Sequence, residues 1–304
     1  MKHLRLPIYL SIAAALATLA LKSAAWYLTG SIGLASDALE SLVNLVAAIV
    51  AYVSLRYAAR PADPTHTYGH EKIEFMSAGL EGALIAIAAV GILRVSVLRL
   101  FEPVQLESLG IGAAISAVAA VINLVVARIL LRVGRRHGSI VLEADGQHLM
   151  TDVMTSAAVV VGLVLVALTH LAWLDPTCAI LMGLNILRTA FGLVKRSFDG
   201  LMDRALTDDE QNQLRTTISG VLEPGTNFHA LRTRRAGVRR FADCHLLVPG
   251  AWTVARAHEL AERVEHAVAA AMPGLELTLH IEPIEAPVSY KDSAVLTFEP
   301  GHLP

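Results

Sequence analysis

Residues 139–171 read "SIVLEADGQHLMTDVMTSAAVVVGLVLVALTHL". From Val153 the run is almost purely apolar, long enough with its preceding residues to cross a bilayer, for which about 20 residues suffice. Its entrance nevertheless holds His148 and Asp152, one helical turn apart and on one face, about 6 Å along the axis. A charge near the bilayer centre costs at least about 2.5–3.5 kcal/mol, so such a pair needs a partner, a wet cavity or a bound ion.

The rest of the chain explains the setting. Of 304 residues, 54% are hydrophobic and 17% charged, against about 25% charged in an ordinary soluble protein. Mean hydropathy is +0.54. Charge is scarce from Leu6 to Leu193 and ordinary from Lys195 onward, which predicts a membrane domain followed by a water-soluble one. Six apolar stretches are long enough to span, at 7–29, 32–57, 75–100, 106–132, 142–169 and 173–195. The first follows Lys2 and Arg5 without a clear cleavage site and reads as a retained helix. One set of span ends carries Lys2, Arg5, Arg56, Arg60, Lys72, Arg132, Arg135, Arg136, Lys195 and Arg196. The other has Arg94 and Arg99, with Glu102, Glu107 and Asp175 nearby. The richer side is expected in the cytoplasm, together with both termini, in an inner membrane. A net charge of -2 gives no reason to expect nucleic acid. Cys178 and Cys244 lie in regions of opposite character and make neither a disulfide framework nor a thiolate zinc site.

Beyond Asp203 the pattern is α+β. "TDDE" (207–210) is a capping box opening a short helix to about Val221. "FHALRTRR" (228–235) and "RRFADCHLLV" (239–248) flank Ala236-Gly237 as paired strands. "VARAHELAERVEHAVAAAM" (254–272) has helical periodicity, with Leu260, Val264 and Val268 on one face. "LELTLHIEP" (275–283) alternates, with Glu276, Thr278, His280 and Glu282 on one side. The domains expected are 1–204 in the membrane, 205–286 in the cytoplasm and a flexible tail at 287–304. The fold class is thus an α-helical membrane protein of six transmembrane helices followed by a small cytoplasmic α+β domain.

The second span repeats the polar entrance. "SDALESLVNLV" places Glu40 and Asn44 at the same i, i+4 spacing, with Asp37 on that side. Glu40, Asn44, His148 and Asp152 can converge from two helices as one imidazole and three oxygen donors. Zinc accepts such a set, and oxygen-rich versions suit manganese or ferrous iron. The competing reading is a polar packing contact between helices. Lys22 and Arg188 also interrupt spans, and are expected to snorkel or line a cavity.

Several ordered motifs resemble the cation diffusion facilitator family over residues 8–285. These are "SIGLASDALESLVN", "RPADPTHTYGHEKIE", "EADGQHLMTD", "LMDRAL", "HALRTRRAG", "RAHELAERVE" and "LHIEP". The resemblance implies an antiporter that exports zinc or a related divalent metal as a homodimer. It implies a membrane metal site at Glu40, Asn44, His148 and Asp152; the usual residues at the first two positions are Asp or His, then Asp. Glu40 is longer, and neutral Asn44 removes one negative charge, which bears on affinity, metal identity and proton stoichiometry. A second site maps to Asp63, His66 and His70, whose His-x3-His spacing beside a carboxylate is ordinary zinc chemistry. The adjoining "HEKIE" lacks the second histidine of a zincin protease, and no enzymatic activity is expected. A third site maps to His229, His245, His258, His280 and Glu282, with His258 supplied across the subunit boundary. A charge interlock of the dimer maps to Lys72 and Asp203. The expected substrate and regulatory ligand is Zn²⁺ or another of Mn, Fe, Co, Ni and Cd, with no catalytic cofactor. Protons, the lipid bilayer and a second copy are the other expected partners. The alternative is a membrane-anchored metal-binding regulator that does not transport.

Overall fold

The computed structural model describes residues 2–29, 32–101, 111–169, 171 and 173–290. Within these, the side chains of 2–5, 28–29, 32–37, 39–40, 111–113, 116, 158–164, 166–167 and 175 are outside the description. Asp37, Glu40 and Asp175 fall in that group by their side chains, and Glu102, Glu107 and the tail 291–304 lie outside the described residues altogether. The chain divides into two compact units, Met1–Leu201 and Met202–Pro304.

The first unit is six long helices: α1 (Lys2–Thr29), α2 (Ile32–Ala58), α3 (Ile73–Phe101), α4 (Ile111–His137), α5 (Ile140–Thr169) and α6 (Leu174–Leu201). Among the described residues, α1, α2, α3, α4 and α6 are long and apolar enough to cross a membrane by length and composition. α5 is the expected fifth span, 30 residues long, with Glu143, Asp145 and Asp152 in its first half. The ends of α4 and α6 reach five and six residues further than the apolar runs suggest. The last turn of α4 carries Arg135 and Arg136, and Lys195 and Arg196 begin the last two turns of α6. A helix continues past the hydrocarbon once its charged residues reach water, so hydropathy alone cuts it short.

α5 holds the unit together. One buried cluster joins it to α1, α2 and α4 through Ile8, Ala14, Ala51, Ala127, Leu130, Val141, Leu142 and Leu149. Another joins it to α3 and α6 through Ile85, Ala89, Ala144, Ile186, Ala190 and Leu193. α3 packs along α6 at close range because small residues line the seam. A Cβ on Gly82 would lie 2.9 Å from Val194 Cγ2, and one on Gly200 would run into the Phe75 ring. α4 turns into α5 through Gly138, whose φ of 67° favours glycine. The tight reversal sets the backbone of Gly134 against Glu143, and Gly146 against Leu130 and Leu131. Of the interrupting cations, Lys22 is buried in α1 rather than snorkelling, and Arg188 is exposed.

The second unit follows the alternating pattern closely. α7 (Asp208–Ser219) opens with the expected capping box at Thr207 and Glu210. β1 (Asn227–Ala236) and β2 (Arg239–Val248) pair antiparallel, and β3 (Leu275–Pro283) adds parallel to β2 after α8 (Val254–Ala271). One sheet face supplies Ala242, Cys244, Leu246 and Val248 to a core with Leu214, Ile218, Leu260, Val264 and Val268 of the helices. Burial pushes the Cys244 thiol up to about 12, so it behaves as a small core hydrophobe. The other sheet face presents the histidines, and Tyr290 of the 3₁₀ turn Pro287–Tyr290 packs its ring against His229 there. The chain stays ordered past Glu285: Pro287–Tyr290 form a 3₁₀ turn, with Ser289 Oγ donating to Pro283 O and Tyr290 Oη to Ile284 O.

Candidate metal centres

Three polar clusters stand where metal ligands were expected. In the membrane unit, α2 and α5 bring Asn44, His148 and Asp152 together. Asn44 Nδ2 donates a short hydrogen bond to Asp152 Oδ2, and His148 Nε2 lies 2.6 Å from Asn44 Oδ1. All three are buried, at 3%, 7% and 7% exposure. An ionised carboxylate only accepts, so the amide nitrogen faces Asp152 and the amide oxygen faces His148. His148 Nε2 must then carry the hydrogen. The amide thus links the two charged-site residues through the very atom that a metal would take. Glu40 is one turn before Asn44 on α2; its side chain lies outside the description.

A residue that sequence spacing did not reveal joins this centre. Asn123 of α4, 2% exposed, donates from Nδ2 to Asp152 Oδ2 at 3.2 Å. A single amide in an apolar span carries no partner spacing, so only the packing of α4 on α5 exposes it. Asn123 Oδ1 and His148 Nδ1 have no hydrogen-bond partner in the structure despite burial. Leaving a buried polar atom unmatched costs about 1–3 kcal/mol. The Asn123 oxygen, an unmatched acceptor beside the Asp152 carboxylate, fits a site that gains a further contact from an ion.

The α2–α3 loop forms the second cluster. Ligand atoms of Asp63, His66 and His70 all lie within 4.8 Å of one another. Asp63 Oδ1 closes a turn by accepting from Thr65 Oγ1 at 2.7 Å, Thr65 N at 2.8 Å and His66 N at 2.7 Å. These bonds, that from the Thr65 hydroxyl foremost, hold its carboxyl well below the usual range. Asp63 Oδ2 is left facing His70 Nε2 at 3.2 Å. The His70 ring is wedged edge-on against Tyr57 at 4.8 Å. Its Nδ1 is buried without a hydrogen-bond partner.

The third cluster is written across the sheet face opposite the helices. His229, His245 and His280 are in register on β1, β2 and β3, with neighbouring ring centroids 5.1 Å apart in both pairs. Glu282 follows on the same face of β3. Its Oε2 lies 3.1 Å from His229 Nε2 and 3.2 Å from His245 Nδ1. These three residues group within 4.8 Å, and His280 stands beside them at 3.6 Å from Glu282 Oε1. A bulge follows His229, with Ala230 at a φ of 51°. Such a bulge kinks the strand and re-aims its side chains; alternation in the sequence gives no sign of it. His258 is not brought to this cluster within the chain. It lies on α8, 67% exposed, 3.4 Å from Glu262. A helix separated from that sheet face by the core cannot reach it.

Of the expected interlock, Lys72 belongs to the first unit and Asp203 to the second. Asp203 lies 3.5 Å from Arg234 of β1.

Comparison with known proteins adds the following. Residues 8–202 match the cation efflux transmembrane domain, and residues 206–284 match the cation efflux protein cytoplasmic domain. The chain is 47% identical to the uncharacterized transporter sll1263 of Synechocystis sp. over 93% of this chain and 91% of that one. It is 34% identical to the cation-efflux pump FieF of Serratia proteamaculans over 87% and 88%. Among solved structures, it is 28% identical to the metal-bound C-terminal domain of the CzcD transporter from Thermotoga maritima. That match covers 27% of this chain and 99% of that one, with a TM-score of 0.24. Six long helices, a cytoplasmic α+β unit and both family matches agree: the chain is a multi-pass membrane protein of the cation efflux, or cation diffusion facilitator, family.

Proposed function

We propose that the chain exports a divalent metal, Zn²⁺ foremost, in exchange for protons, by alternating access at the Asn44–His148–Asp152 centre with Glu40 as fourth ligand. The supporting observation is the buried His148–Asn44–Asp152 link with its two unmatched atoms. A metal needs a bare imidazole nitrogen and an ionised carboxylate, so its binding displaces a proton. A neutral ring only shifts its hydrogen from Nε2 to Nδ1 when a metal takes Nε2, so the proton released is the second one of a His148 imidazolium or one held by a carboxyl of the site, and it leaves to water. Facing the cytoplasm, the ligands lose protons and capture the ion. Facing outward, proton entry restores the amide link and ejects it. Asn123 acts by orienting Asp152.

Asp63, His66 and His70 form a loop site. His229, His245, His280 and Glu282 form a regulatory site in the cytoplasm, which joins two copies of the chain with His258 arriving from the other copy. Lys72 and Asp203 interlock the dimer, and both termini face the cytoplasm. Histidine-containing donor sets favour Zn²⁺, while the amides and Glu40 widen the choice toward Mn, Fe, Co, Ni and Cd.

The test is reconstitution into vesicles, following zinc and pH together. His148→Ala is expected to abolish coupled exchange. Undiminished exchange would defeat the reading, and zinc binding without flux in the unaltered chain would favour a non-transporting regulator.

A further inference from the structure

Two acids in the membrane unit are left over from the metal ligands. Glu81 of α3 and Asp145 of α5 are each 1% exposed. Neither Glu81 oxygen has a hydrogen-bond partner, and neither has Asp145 Oδ2. The two carboxyls are close enough to act on each other electrostatically. Around them are hydroxyls that are also buried. Ser77 Oγ is one turn before Glu81 on α3, and Ser11 Oγ of α1 lies beside Asp145.

Among the described residues no cation neutralises them. Asp145 is the titratable group bearing on Glu81 from the packed helices. Glu143 is taken by Arg196 at 2.7 Å, and Glu74 accepts from Ser139 at 2.9 Å. Arg128 and Arg132 of α4 are on its exposed side. Lys22 is eleven residues beyond Ser11 on α1, about 16 Å along the axis. His148 and Asp152 follow Asp145 on α5, engaged with Asn44. Two carboxylates without a counter-ion in a dry interior do not both ionise; they keep a proton.

We propose that Glu81 and Asp145 form a proton-binding pair, separate from the metal ligands, that gives up a proton when metal enters and regains it when metal leaves. The proposal rests on the proton-coupled export above and adds a second place for the proton. The pair spans α3 and α5, the junction between the α3–α6 pair and the α1, α2, α4, α5 group. Asp145 is one turn from His148, about 4.5 Å along the axis. A doubly charged ion arriving there favours the ionised carboxyl. The O–H bond breaks, the proton leaves to water, and the electron pair stays on the carboxylate. When the ion departs, the lone negative charge is no longer compensated and the proton returns.

The test uses the full chain in vesicles, with zinc flux and lumenal pH recorded together. Glu81→Gln and Asp145→Asn are each expected to lower the protons exchanged per zinc by one and flatten the pH dependence. Zinc affinity at neutral pH is expected to fall in both variants, because a carboxyl that loses its proton to the ion's field strengthens the ion's binding in return. Variants exchanging the full number of protons would overturn the pair alone. An unaltered chain moving zinc without protons would overturn the exchange reading and the pair with it. Infrared spectroscopy keeps the test independent of variant folding. The unaltered chain at neutral pH should show the carbonyl stretch of a buried, protonated carboxyl, and its absence would also sink the proposal.

Discussion

Asn44 puts a neutral amide between Asp152 and His148, and its two ends do different work: one donates to Asp152, the other holds His148. Asn44→Asp removes that link and sets two carboxylates side by side. Without metal they repel and retain a proton; with metal they add charge to the site. The expected result is zinc binding about tenfold tighter or more, since about 1.4 kcal/mol is tenfold, together with a steeper pH dependence. Competition with a chelating dye at two pH values checks both. Asn123→Ala leaves the charges intact but takes away a donor to Asp152. Loss of an orienting partner costs a metal site about 10–100-fold in affinity, and the same titration measures it. The two amides differ in how readily sequence reveals them. Asn44 is legible because Glu40 precedes it by one turn and His148 and Asp152 repeat the spacing. Asn123 stands alone in α4, and its meaning exists only once α4 is packed on α5.

At the scale of elements, apolar length and strand alternation locate the eight α-helices and three strands among the described residues to within about six residues, because burial imposes those periods directly. What they miss is made by contacts distant in sequence or by local backbone exceptions: the bulge after His229 and the charged ends of α4 and α6. The glycine seam of α3 and α6 yields a paired prediction. Gly82→Ala drives a methyl against Val194 and is expected to destabilise the membrane unit by about 1–3 kcal/mol. Gly91→Ala, with nothing within 4 Å, is expected to be neutral or mildly stabilising. Unfolding in mixed detergent compares them. In the second unit, burial raises the Glu210 carboxyl, but Thr207, Arg235 and Arg240 outweigh it and hold it below its ordinary value of 4.5. A depressed carboxyl contributes stability that is whole above the ordinary value and lost as pH falls through the folded one. The cytoplasmic unit should therefore weaken in acid, and Glu210→Gln should flatten that loss. Thermal melts at neutral pH and at about pH 3 test it; parallel losses in both proteins would exclude Glu210 as a source.

At the scale of the molecule, each of the two units carries its own cluster of candidate metal ligands, so zinc bound at both should stabilise each unit through its own residues. An ion bound only by the folded state at a hundredfold excess over its dissociation constant adds about 2.7 kcal/mol per site. A chain of two units need not melt in one step, so each transition needs its own reporter. Tryptophan supplies it. Of three in the chain, Trp252 alone is in the second unit, packed against its core, while Trp26 and Trp173 belong to the first. With Trp26 and Trp173 replaced by Phe, fluorescence follows the cytoplasmic unit alone. In that background zinc should raise the transition of Trp252, and a chelator should restore it. His245→Ala removes the histidine between His229 and His280 and should abolish the shift, whereas His148→Ala should leave it intact. The two substitutions lie in different units with no shared partner, so their effects on zinc stabilisation should add. A zinc shift at Trp252 that survives His245→Ala would mean that the sheet histidines hold no metal. One that vanishes with His148→Ala would mean that the cytoplasmic unit gains its stability from the membrane centre.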